Sequence, residues 1–129
     1  MKYVLPVLAA LALQTGAAQA EFSISFAWGD IPRCTSGRPG TVPSPAFAIR
    51  DLPAGTTSVE FRLRDINVPT FNHGGGKLKV SRAGQLPAGA FKYKSPCPPN
   101  GAHVYEWTAT ARAGNKVVGK ASARRNYPE

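Results

Sequence analysis

Apolar and polar residues alternate with a period of two along several stretches, and that period predicts half-buried β-strands. From His103 to Arg112, Tyr105, Trp107, Ala109 and Ala111 share one face, while Val104, Glu106, Thr108, Thr110 and Arg112 share the other. Phe22, Ile24, Phe26 and Trp28 likewise alternate with Ser23, Ser25 and Ala27, and Val59, Phe61 and Leu63 alternate with Glu60, Arg62 and Arg64. Shorter strands are predicted at Phe47–Arg50, around Leu78 and Val80, around Phe91 and Tyr93, and as a return from Val117 to Ala123. The separators are turn formers: Asp51 to Thr56, Arg82 to Gly89 and Arg112 to Lys116. Three consecutive glycines, Gly74 to Gly76, read as a flexible tight turn. No helical period is evident. Strands divided by Pro/Gly turns predict a mainly-β chain with little helix, an antiparallel β-sandwich.

The first residues do not fit this pattern. Lys2, the apolar run from Tyr3 to Leu13 and the small-residue ending Ala18-Gln19-Ala20 have the three parts of a signal peptide. The expected division is therefore a leader at 1–20 and a single domain at 21–129, with export to the periplasm or beyond the cell and no transmembrane segment. The leader supplies only Lys2 to a formal charge of +9 at pH 7, so the domain itself is strongly basic. Such a surface could meet anionic headgroups, acidic polysaccharide or solvent, and charge alone does not choose among them. The charges at Arg62 and Arg64 read as a solvated strand face.

Export also bears on Cys34 and Cys97, the two cysteines. In an oxidising compartment a lone pair becomes a disulfide, which would tie the Gly/Pro/Ser-rich loop at 29–45 to the proline-rich loop at 95–101. The competing reading is zinc held by Cys34, Cys97, His73 and His103, but no C-x-x-C pair is present to anchor it. Other chemistries lack their motifs: there is no Gly-x-Ser-x-Gly elbow, and Gly74-Gly75-Gly76-Lys77 does not have P-loop spacing.

The most informative stretch is Lys94-Ser95-Pro96-Cys97-Pro98-Pro99-Asn100-Gly101-Ala102-His103-Val104-Tyr105. Its prolines stiffen a loop that runs into a strand on which His103 and Tyr105, two apart, point the same way. This stretch resembles the Gly-Pro-x-Pro-Pro-x-Gly-x-His-Arg-Tyr signature of the phosphatidylethanolamine-binding protein family, in the wording of its bacterial YbhB/YbcL-type branch. Ser95 stands in place of the Gly and Val104 in place of the Arg. Asp65-Ile66-Asn67-Val68-Pro69 is similar to the family's Asp-Pro-Asp-Ala-Pro block, with Asn67 replacing the second aspartate. His73 falls where the family's His-Trp pair begins, and Arg33 to Gly37 followed by Ser44-Pro45 looks like the YbcL-type opening.

The resemblance implies packed β-sheets with a small pocket at one end, lined by Asp65, His73, Pro96, His103 and Tyr105. It also implies a cis peptide at Val68–Pro69. The ligand so implied is a phosphate-like anion or a phospholipid headgroup, with no cofactor, no metal and no nucleic acid. With the cysteines bridged, no nucleophile is evident, so a binding protein is expected rather than an enzyme. The alternative is a protein-interaction module, such as a protease inhibitor or signalling partner, with a vestigial pocket.

Overall fold

A computed structural model describes residues 2–4 and 20–129; most of the predicted leader lies outside the described residues. Nine strands and no helix occur among them. They are β1 (Ser23–Phe26), β2 (Thr41–Pro43), β3 (Phe47–Arg50), β4 (Ser58–Asp65), β5 (Gly75–Lys79), β6 (Gly84–Leu86), β7 (Lys92–Lys94), β8 (His103–Ala113) and β9 (Lys116–Tyr127). Every pairing is antiparallel. The main sheet has the order β5-β4-β8-β9, a second sheet has β1-β3-β6, and β2 pairs with β7.

The alternation read from the sequence is the alternation of burial. Val59, Phe61 and Leu63 of β4 and Tyr105, Trp107, Ala109 and Ala111 of β8 all face the core. Large residues sit opposite small ones across these strands, Phe61 opposite Ala109 and Val59 opposite Ala111, which leaves room for a second layer. Phe47 of β3 fills that room, stacked on Phe61 at 4.4 Å between ring centroids and edge-on to Trp107 at 5.3 Å. These three rings join the two sheets. Fully burying aromatic side chains of this size contributes a few kcal/mol each, about 1.5–3 kcal/mol as a working range.

Two expectations are corrected. Gly75 and Gly76 belong to β5 rather than to a flexible turn, paired with Arg62 and Phe61 of β4. A Cβ on Gly75 would run into the Phe61 carbonyl, and one on Gly76 into the Phe91 ring. Close packing, not conformational freedom, therefore requires glycine there. Among the described residues the cis peptide lies at Tyr127–Pro128 and not at Val68–Pro69. The turn after β4 is closed instead by hydrogen bonds, the Val68 and Phe71 amides donating to the Asp65 and Val68 carbonyls at 3.2 Å each. The return strand also runs further than predicted, through Arg124 and Arg125 to Tyr127. Arg125 is held there by the Phe26 carbonyl and by Glu129.

Candidate functional site

The proline-rich loop is fastened on several sides before it reaches β8. Cys97 forms a disulfide with Cys34, their Cα atoms 4.6 Å apart. The Ser95 amide donates to the Gly40 carbonyl at 2.8 Å, and the Gly40 amide donates back to the Ser95 hydroxyl at 3.2 Å. The disulfide removes both sulfurs from any metal set, which disposes of the zinc alternative. Pro96 and Pro98 are fully buried.

Asp65, the last residue of β4, lies opposite Tyr105 in the register with β8. Its side chain is nearly sealed from solvent and is filled by donors. One carboxylate oxygen accepts the amides of Asn67 at 2.8 Å and Val68 at 3.2 Å, and the other accepts His103 Nδ1 at 2.6 Å. A buried carboxylate needs such partners, since an ionised group taken out of water without them is very costly. Asn67, which replaces an acid of the resembled motif, accepts the Val104 amide through its side-chain oxygen at 3.0 Å. It ties the end of β4 to the start of β8.

His73 is 3% exposed and uses Nδ1 differently, against the Lys94 backbone carbonyl at 2.8 Å. A carbonyl only accepts, so Nδ1 carries the proton. Burial lowers the His73 pKa below its ordinary value of 6.5, and the Lys94 carbonyl, the Asp65 charge and the Ser95 carbonyl only partly oppose it. Tyr105 is pushed the other way. Burial first, and then the neighbouring Asp65 charge, raise its phenol well above 10.0. Trp28 packs edge-on to Tyr105 at 5.6 Å, and the His103 ring lies over it at 6.3 Å.

These groups line one cavity of about 200 Å³, whose wall includes Asp65, Val68, Phe71, His73, His103 and Tyr105, together with the Gly37–Pro39 loop and Cys97 to Pro99. Four of the five residues singled out in the sequence therefore share a wall. Pro96 does not: it is fully buried, and Pro98 and Pro99 of the same loop line the cavity instead. Phe71 and Val68 were missed. Both are partly exposed beside the cavity, and an aromatic residue standing in a polar Pro/Asn/Gly loop was the available signal.

No family model matches the chain, and no curated protein matches it. Solved structures do, two among them as follows. One is YbcL of E. coli, described as a new member of the mammalian phosphatidylethanolamine-binding protein family. It has a TM-score of 0.62 and 17% identity, and the match covers 84% of this chain and 98% of that one. Another is the phosphatidylethanolamine-binding protein homologue CT736 from Chlamydia trachomatis, with a TM-score of 0.60, 16% identity and the same two coverages. The class is thus settled at the level of architecture: a mainly-β, antiparallel chain built like these two proteins. More particularly, it has the phosphatidylethanolamine-binding protein fold that the motifs around Asp65 and His103 resemble.

Proposed function

We propose that this chain is a small exported binding protein whose cavity takes a phosphate-like anion, either free or as the headgroup of a phospholipid. The observation that carries this reading is the Asp65–His103 pair on the cavity wall, a buried carboxylate bonded to a partly exposed imidazole. With Nδ1 bonded to the carboxylate, His103 presents Nε2 as its remaining nitrogen, and in its protonated form that N–H is a charge-assisted donor to an anionic oxygen. Asp65, its oxygens already occupied, orients the imidazole rather than meeting the anion.

The leader pattern and the disulfide support export. Among the described residues no helix is long and apolar enough to cross a membrane. Binding without catalysis is the reading favoured by the site's chemistry. Covalent catalysis needs a side-chain nucleophile for the histidine–carboxylate pair to activate, whereas the Cys97 sulfur in this wall is bonded to Cys34. Titration with phosphate, followed by amide and imidazole chemical shifts, tests the proposal. Shifts should concentrate at His73, His103 and Tyr105, and His103→Ala should weaken binding by about tenfold or more, the loss of one charge-assisted hydrogen bond. If His103→Ala binds phosphate as well as the parent, the shared fold does not carry the anion site, and the protein-interaction reading replaces this one.

A further inference from the structure

The outer face of the β5-β4-β8-β9 sheet is open to solvent, and its register arranges the side chains in cross-strand rows, since residues directly opposite one another share a face. In one row Lys77 of β5 lies opposite Glu60 of β4, Glu60 opposite Thr110 of β8, and Thr110 opposite Lys120 of β9. In the next, Thr108 of β8 lies between Arg62 and Ser122, and in the third Glu106 lies between Arg64 and Arg124. Two cationic stripes result, one on β5 and β4 and the other on β9. The strands β4 and β9 are two spacings apart, roughly 10 Å, and β8 forms a track between them. Among the described residues no partner bonds the hydroxyls of Thr108, Thr110 and Ser122.

The acids of this face show what the track can hold. Glu106 reaches Arg64 at 3.3 Å on one flanking strand and Arg124 at 2.8 Å on the other, so a carboxylate over β8 meets guanidinium groups from both sides. In the neighbouring row the same place over β8 has only the Thr108 hydroxyl, although Arg62 is its neighbour on β4 and Lys120 its diagonal neighbour on β9. Arg62 is bound weakly, 4.0 Å from Glu60 and more than half exposed, so most of its five donors face solvent. A carboxylate from outside, set over Thr108, would repeat the Glu106 arrangement one row along. Guanidinium forks suit carboxylates, and free hydroxyls suit other hydroxyls. None of the residues these four strands turn outward is aromatic, so the face has no ring on which to stack bases and none to anchor in a bilayer interface.

We propose that the outer face of this sheet binds a linear acidic polysaccharide lying along β8, its carboxylates on the two cationic stripes and its hydroxyls on Thr108, Thr110 and Ser122. The surface is separate from the cavity, which lies on the inner side of the same strands, and the inference stands whether or not the cavity takes an anion.

Polygalacturonate oligomers are titrated into the protein at about 0.15 M salt, where surface charges are screened beyond roughly 8 Å, with neutral dextran, phosphatidylglycerol-containing vesicles and duplex DNA as comparisons. Polygalacturonate should bind and dextran should not, and the amide shifts should concentrate on β4, β8 and β9 along the outer rows. Arg62→Ser combined with Lys120→Ser should weaken binding by about tenfold or more, the loss of charge-assisted contacts. Arg50→Ser combined with Arg82→Ser removes the same charge at the end of β3 and just before β6, and should weaken it by no more than about twofold, a screened effect at a distance. A third variant leaves the charge untouched: Thr108→Val, Thr110→Val and Ser122→Ala together should cost about threefold or more, the loss of neutral hydrogen bonds. All of these positions are on the solvent side, so melting midpoints should stay near that of the parent. Equal losses in the two charge variants, or a hydroxyl variant that binds like the parent, overturn the proposal by showing attraction to net charge alone. Shifts confined to the cavity overturn it too, as does binding to vesicles or DNA that is tighter than binding to polygalacturonate.

Discussion

The two surfaces of β4 and β8 use the same charged groups to different ends. On the inner side, at the mouth of the sandwich, one carboxylate is buried and each of its oxygens is taken by a donor. On the outer side, Glu106 lies between Arg64 at 3.3 Å and Arg124 at 2.8 Å, and Glu60 between Arg112 at 3.5 Å and Arg62 at 4.0 Å. The guanidinium groups of Arg64 and Arg124 remain more than half exposed. Solvent screens these outer pairs and competes for them, so each is worth little. Inside, the Asp65 carboxylate is only 6% exposed, and removing one partner strands the other. A carboxylate beside a cation therefore informs about function only once its burial and its full set of donors are known.

Substitution should separate the two surfaces most sharply at Asp65. Asp65→Ala leaves His103 and two backbone amides without their acceptor and should cost roughly 3 kcal/mol of unfolding free energy, measured by urea denaturation. A loss no larger than that of an outer-face variant would remove the distinction.

A smaller effect should follow from pH. His73 is held neutral in the fold, its pKa depressed chiefly by burial, whereas the unfolded chain takes up the proton near 6.5. Its contribution to stability is thus fully present above 6.5 and is lost as pH falls through the lower, folded value. In His73→Gln the decline in stability below pH 6.5 should be shallower than in the parent, as read from melting midpoints across that range. Parallel profiles would show that His73 is not the group responsible.

The smallest change is expected at Glu106→Gln, about 0.5 kcal/mol by the same denaturation assay and reduced further by salt. A cost comparable to that of Asp65→Ala would mean that Glu106, whose side chain is 14% exposed between two solvated arginines, acts as a buried group.

How much of this was legible in the sequence follows from where each constraint originates. The β4 and β8 strands could be read because one face is buried along their whole length, and burial imposes the period directly on the residue order. The strands β2 and β6 are three residues each and have no period to read; they exist because β7 and β3 pair with them. The glycines of β5 were misread for the same reason, the Phe61 carbonyl and the Phe91 ring being remote in sequence. At the site, family resemblance named Asp65, His73, His103 and Tyr105, and it misplaced Pro96 and the cis bond. Neither resemblance nor spacing could say that one imidazole leans on a carboxylate and the other on a carbonyl. That difference depends on Lys94, whose side chain takes no part in it.

The connectivity of the cavity wall also orders events in time. The β8–β9 hairpin turns at Gly114 and closes locally, a step of the microsecond scale. Asp65 and His103 are 38 positions apart, and the cysteines 63; such contacts await the closure of long loops, and domains dominated by them fold in milliseconds to seconds. The cavity is consequently a late product of folding: a chain with its last hairpin formed and its β4 still undocked has strands but no cavity.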